Sequence, residues 1–242
     1  MTRASAADFV DGIQGVFLDF YGTLAAGDRS AVDAICQQII NDYALTGSCS
    51  ELAAQWGLKY FQAIEHDPTR DFRTLREIEY ATLVETCRPY IRDFRPDAYI
   101  DRLNAYLASP PLFEEVREVL SELTIPTCIV SNADESELRS AVALHGLRFD
   151  YIVTSESARS YKPDQAIFRH ALRLTGWSAE RVLHVGDSLH SDIGGAAGLG
   201  IRTAWVNRGK RISDIGNATP DYTWADLRPL LMLTGGNSSW PS

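Results

Sequence analysis

Two kinds of apolar run alternate along the chain. The first kind is short, continuous and rich in β-branched or aromatic residues, the pattern of strands buried on both faces. Gly15-Val16-Phe17-Leu18 leads, running into Asp19 and a tight Tyr21-Gly22-Thr23 turn. Residues 125–130, 151–154, 182–185 and 201–206 follow the same pattern, and Tyr222 and Trp224 are expected on a last edge strand. The second kind repeats at three- and four-residue spacing, the period of a helix with one buried face. It fills residues 31–107, with Ser30 and Ser50 predicted to cap the first two helices, residues 74–90 the third, and Pro96 opening the fourth. Beyond the Ser109-Pro110-Pro111 break, helices are predicted at 113–123, 136–145, 163–174, 192–198 and 227–231. Strand–helix alternation from residue 109 onward predicts a parallel sheet with right-handed crossovers. The expectation is an α/β core from residues 1–24 and 109–242, with an all-helical domain, residues 25–108, inserted after the first strand.

Composition narrows the partners. The chain has 242 residues, 45% of them hydrophobic, and a net charge of -9, which argues against nucleic acid or an anionic membrane and leaves a small-molecule substrate. Its four cysteines, Cys36, Cys49, Cys87 and Cys128, form no close-spaced pair, as expected of reduced thiols rather than a disulfide framework or zinc site. No stretch approaches the ~18–20 apolar residues of a membrane span. Residues 1–12 carry acids and no apolar core, so no signal peptide is expected and the reading is cytoplasmic. Nothing in the pattern speaks to oligomeric state.

The candidate chemistry lies at strand ends. Alone, Asp19 reads equally well as a helix N-cap. Yet the predicted strands end in Asp19, Ser131-Asn132, Thr154 and Asp187, and adjacent strands of an open α/β sheet bring such ends to one crevice. Asp19 and Asp187 would then be paired carboxylates needing a shared cation, and an all-oxygen set without His or Cys suits Mg²⁺. With Lys162 nearby, carboxylate, metal and ammonium would make a site for phosphoryl transfer.

These residues also carry a family resemblance. Asp19-Phe20-Tyr21-Gly22-Thr23-Leu24, Ile129-Val130-Ser131-Asn132, Tyr161-Lys162-Pro163-Asp164 with Ile167-Phe168, and Val185-Gly186-Asp187-Ser188-Leu189-His190-Ser191-Asp192 occur in that order. Together they resemble the haloacid dehalogenase-like (HAD) superfamily of hydrolases, with the insertion similar to the helical cap of its subfamily I. The resemblance implies a Rossmann-like parallel sheet core with an inserted cap. It implies Asp19 as nucleophile of a covalent aspartyl intermediate, with Ser131 and Lys162 as its catalytic partners. Thr23 would orient the first loop, and Asn132 and Tyr21 would face substrate. Asp19, Asp187 and the Tyr21 carbonyl would hold Mg²⁺, with Asp192 behind Lys162.

One position departs from the phosphatase pattern. Family phosphatases usually carry a second Asp two residues after the nucleophile, as acid for the leaving group; here it is Tyr21. A phenol with a pKa near ~10 is a poor substitute at neutral pH. Tyr followed by Gly-Thr-Leu resembles instead the 2-haloacid dehalogenases, which displace halide from carbon without a metal. Against that, Asp187 is retained, Phe168 stands where dehalogenases carry Tyr, and no arginine lies between Arg29 and Arg70 to receive halide. The main expectation is therefore a Mg²⁺-dependent phosphatase of a small phosphorylated metabolite. The alternatives are a metal-free 2-haloacid dehalogenase-type hydrolase using Asp19, and a weakly active or inactive binding protein of the same fold.

Other residues read more plainly. His184 sits in an apolar strand and is expected in the core. His190 reads as a loop histidine, with a substitute proton donor as the lesser reading. Trp56, Tyr60 and Phe61 are expected to be cap core rather than a ligand box. The segment from His66 to Arg70 with Arg73, and the basic turn Arg208-Gly209-Lys210-Arg211, read as solvated loops.

Overall fold

A computed structural model describes residues 12–65, 71–209 and 218–233; the predicted polar segment 66–70, and Lys210 and Arg211 of the basic turn, lie outside them. The chain divides into two compact units. One comprises the residues up to Ala26, Pro111–Asn132 and those from Gly146 on; the other comprises Gly27–Pro110 and Ala133–His145.

The first unit is a six-stranded parallel sheet flanked by helices, a Rossmann-like α/β fold. Its strands are β1 (Gly15–Leu18), β2 (Thr127–Ser131), β3 (Tyr151–Thr154), β4 (Val182–Gly186), β5 (Arg202–Val206) and β6 (Tyr222–Trp224), in the order β3-β2-β1-β4-β5-β6. The chain works outward from β1 to β3, then returns to the other side of β1 and works outward again. The order therefore reverses between β1 and β4, the switch point where open α/β sheets form their crevice. In register, Leu18 lies beside Val185 and Ile129. Asp19 continues the pairing, donating its N–H to the Val185 carbonyl at 2.9 Å. β1, β2 and β4 are buried throughout, as the continuous apolar runs require. Phe17, Cys128, Val130, Val153 and Val182 pack with Ile167 and Phe168 of a helix, Gln165–Thr175. That helix starts at Asp164, whose carboxylate accepts the Ala166 N–H, and stops at Gly176 with φ +72°.

The second unit contains α1 (Arg29–Asp42), α2 (Cys49–Glu65), α3 (Leu75–Cys87) and α4 (Asp97–Leu107), with its own apolar core of Ile35, Ile39, Leu52, Trp56, Leu83 and Leu103 among others. It also takes in a helix, Glu135–Leu144, that sequence pattern assigns to the α/β core. The preceding residue explains why: the Asp134 carboxylate accepts the N–H groups of Leu75 (2.7 Å) and Arg76 (2.9 Å), two orphan donors at the start of α3. Thr74 and Glu77 close a capping box on the same terminus.

Three local expectations are corrected. Asp28, not Ser30, precedes α1, and it makes no side-chain cap bond. Ser48, not Ser50, caps α2: its hydroxyl accepts the Glu51 N–H while Glu51 accepts the Ser48 N–H. The predicted helix 192–198 is a π-helical turn, Leu189–Gly194, followed by a single α-turn, Gly195–Ala197. No helix among the described residues is long and apolar enough to cross a membrane.

Candidate active site

Every residue of the predicted constellation falls in the first unit, and most converge on one carboxylate. Asp19 leaves the end of β1 only 4% exposed. Its Oδ1 accepts from Ser131 Oγ at 2.8 Å and from Lys162 Nζ at 2.7 Å, and its Oδ2 accepts from Thr23 Oγ1 at 3.2 Å. Thr23 reaches Asp19 because the loop folds back at once: the Phe20 carbonyl accepts both Leu24 N–H and Ala25 N–H, and Gly22 N–H donates to Ala25. Gly22 sits at φ +93°, and a Cβ there would lie 2.7 Å from the Asp187 carboxylate, so only glycine fits both the turn and its neighbour. Tyr21 is half-buried in this turn, edge-on to Phe20.

Lys162 is the hub. It is 3% exposed, and its ammonium donates to Asp19 and, at 2.6 Å, to Asp192 Oδ1. Its backbone is clamped by Asn132, whose side-chain amide donates to the Lys162 carbonyl (3.0 Å) and accepts the Lys162 N–H (2.7 Å). The Asn132 side chain is committed to holding Lys162, and the resemblance asks only its backbone to face substrate. Asp192 hangs from the π-helical turn. Its Oδ2 accepts the Ser188 N–H at 3.0 Å, and its Oδ1 also meets His184 Nε2 at 3.0 Å. A Cβ on Gly186 would fall 2.2 Å from the Asp192 carboxyl carbon, so β4 must end in glycine for Asp192 to reach Lys162.

Burial favours the neutral form of all three groups, and the neighbours decide the balance. For Lys162, the two carboxylates outweigh burial and push the ammonium up. For Asp192, Lys162 and His184 outweigh burial and hold the carboxyl well below its usual range. For Asp19, burial wins over Lys162, with the Asp192 charge adding to it, and the carboxyl is held above its ordinary 3.8.

Asp187 is half-buried, and one of its oxygens lies with oxygens of Asp19 and Asp192 in a group whose atoms are all within 4.8 Å of one another. Such a set could hold a hard cation. Asp19 and Asp192 are equally engaged, each meeting two partners at Oδ1 and one at Oδ2. Asp19 and Asp187 could hold such a cation together, and Asp192 also anchors Lys162.

Two positioning residues escape sequence reasoning. His184 reads as a core histidine and is indeed fully buried, but its Nε2 meets Asp192 while Nδ1 has no partner. Arg208 reads as solvated; instead its guanidinium pairs with the buried Glu115 at 2.6 Å, lies over Phe113, and donates to the Thr23 carbonyl at 2.7 Å. Only a spacing signal could have suggested His184, eight residues before Asp192 on the neighbouring strand. His190 is half-buried in the π-helical turn.

The family model of haloacid dehalogenase-like hydrolases matches residues 13–200, and the chain belongs to that family. It is a hydrolase. An (S)-2-haloacid dehalogenase of Pseudomonas sp. strain YL is 29% identical over 234 residues, covering 93% of this chain and 95% of that one. A pyrimidine 5'-nucleotidase of Escherichia coli is 29% identical over 231 residues, covering 93% and 91%. In structure, the L-2-haloacid dehalogenase from Xanthobacter autotrophicus with chloropropionic acid covalently bound shares the fold, with a TM-score of 0.73 and 21% identity over 92% of this chain and 98% of that one.

The dehalogenases among these relatives overturn the expectation of a Mg²⁺-dependent phosphatase. 2-Haloacid dehalogenases recur among further relatives at 26% and 24% identity. The physical reason lies in the first loop. The retained Asp187 weighed towards a phosphatase in the sequence, but a phosphomonoester leaving group needs a proton, and Tyr21 stands where the acid would be.

Proposed function

We propose that this hydrolase displaces a leaving group from carbon, as a 2-haloacid dehalogenase does, with Asp19 as the nucleophile. The observation that carries this reading is the pairing of a buried, donor-held Asp19 with Tyr21 two positions on. A departing halide needs no proton, so the missing acid costs such a reaction nothing.

In the first step, an Asp19 oxygen bonds to C2 of a small 2-haloacid as the carbon–halogen bond breaks and halide leaves with the electron pair. Lys162 uses two of its three donors on Asp19 and Asp192, which leaves one for the substrate carboxylate. Ser131 and Thr23 fix the direction of the Asp19 carboxylate, so attack begins from one geometry. In the second step, water adds to the Asp19 carboxyl carbon of the ester. Asp187 would take the water's proton and return it to the departing alkoxide, so the 2-hydroxyacid leaves carrying an oxygen that belonged to Asp19 and the Asp19 carboxylate is restored.

Where a Mg²⁺ ion binds, Asp19 and Asp187 would hold it, and it would supply positive charge beside the nucleophile. Displacement from carbon does not require that charge. With no arginine between Arg29 and Arg70 to receive halide, the rate should follow intrinsic leaving ability, bromide ahead of chloride.

The test is halide release from 2-bromopropionate and 2-chloropropionate, with chelator present. Release from both, bromide faster, and an oxygen-18 label from water entering Asp19 before product in a single turnover, are expected. Absence of halide release from either substrate would end this reading.

A further inference from the structure

The helical unit encloses a cavity of about 370 Å³, large enough for a small organic ligand. It lies wholly within that unit. Its aromatic wall is Trp56, Tyr60 and Phe61, the last half exposed and edge-on to Tyr60. Against this apolar wall stand the carboxylates of Asp28 and Glu79.

Glu79 is the anomaly. It is 3% exposed, near the middle of α3, and its Oε2 has no hydrogen-bond partner. A buried carboxylate without donors is costly, and proteins ordinarily supply a counter-charge or hydrogen bonds. Among the described residues none is built in. Arg76, whose charge acts on Glu79, is exposed and paired with Asp101 at 2.6 Å. Of the other charged residues lining the cavity, Arg29 is exposed and Asp33 adds a further acid. Acids and aromatic rings lining one cavity form an environment suited to an organic cation, through charge at one end and cation–π and apolar contact along the rest.

We propose that this cavity binds a small organic ammonium ion, its positive end at Glu79 and Asp28 and its apolar body against Tyr60 and Phe61. The ligand would be the counter-ion that the described residues lack. The lining belongs wholly to the helical unit, and the proposal does not rest on the displacement reading.

The test is calorimetric titration of the full chain with benzylammonium, with benzyl alcohol as the neutral analogue and benzoate as the anion. Benzylammonium should bind saturably, benzyl alcohol at least about tenfold more weakly, and benzoate not at all. Glu79→Gln, isosteric and uncharged, should weaken benzylammonium by about tenfold or more while leaving benzyl alcohol unchanged; Asp28→Asn should weaken it less. Thermal melts of both variants establish that they are folded. Equal binding of benzyl alcohol, no saturable binding of benzylammonium, or indifference to Glu79→Gln would each overturn the proposal.

Discussion

Two of the buried carboxylate sites among the described residues are treated differently. At the sheet, Asp19 and Asp192 face one ammonium, and each has further partners: Ser131 and Thr23 for the first, His184 Nε2 and the Ser188 N–H for the second. In the helical unit, Glu79 is equally buried and has an oxygen with no donor at all. The first arrangement is a preorganised charge cluster, partly neutralised from within by Lys162, whose members hold one another in place. The second is a charge whose compensation must come from a proton or a ligand. Burial alone therefore does not mark a site; what differs is whether the protein supplies the partner.

The sharpest way to break the comparison is to remove a member of the sheet cluster. Asp19→Asn should abolish turnover, by about 10⁴-fold or more, with the fold intact because Lys162 keeps Asp192. Activity surviving in that variant would remove the nucleophile from the scheme. Lys162→Met goes further, since it leaves two buried anions facing each other. Breaking a buried pair this way typically costs about 3–5 kcal/mol, read as a fall in the denaturant midpoint at neutral pH. The sign with pH follows from Asp192. Its carboxyl is held low in the folded chain, so the stability it contributes is present above the ordinary carboxylate range and is lost only as pH falls through the depressed value. In Lys162→Met that protection disappears, and lowering the pH toward the carboxylate range should narrow the gap to the parent.

Much of the sheet cluster is legible in the sequence, for a physical reason. Continuous apolar runs fix the central strands, and the polar residues that end them must then meet at one sheet edge. Asp19, Ser131 and Asp187 come together on that logic, whereas Lys162 and Asp192 lie beyond the strands and Asp192 is placed by the family resemblance. What stays hidden depends on side-chain direction. His184 is one more inward position on a buried strand, and nothing local says that its ring turns to Asp192. Arg208 looks like a solvated turn residue until Glu115, far away in sequence, is found beneath it. The helix at Glu135–Leu144 follows β2 as a crossover helix should, yet Asp134 ties it to the start of α3. Glu79 is least legible of all: a helical glutamate is usually solvated, and only packing shows this one to be buried.

Glu79→Gln tests the other half of the comparison. Burial, and then the charges of Asp28, Asp134 and Glu137, hold the Glu79 carboxyl well above its ordinary 4.5, against the weaker pull of Arg76. The folded chain thus keeps this proton to higher pH than the unfolded chain does. Stability from this group is full below about pH 4.5 and falls as pH rises toward the raised value. Glutamine carries no such burden, so without ligand the variant should be more stable at neutral pH by about 1–3 kcal/mol, the scale of a buried polar group left without a partner. The advantage should vanish near pH 4. A variant less stable than the parent at neutral pH would mean that Glu79 already has its counter-charge, and the contrast with the sheet cluster would collapse.

Asp28→Asn is the smallest effect and separates two causes. Burial ranks first in raising Glu79, and the Asp28 charge ranks next. Asp28 is itself pushed up by burial. Removing its charge should therefore raise neutral-pH stability by less than Glu79→Gln does, on the order of 0.5 kcal/mol. The two changes should also be sub-additive in a double-mutant cycle, since each relieves the repulsion the other leaves behind. Strict additivity would show that the carboxylates do not feel each other. In that case burial alone raises Glu79, and a cation bound there would answer to one carboxylate rather than two.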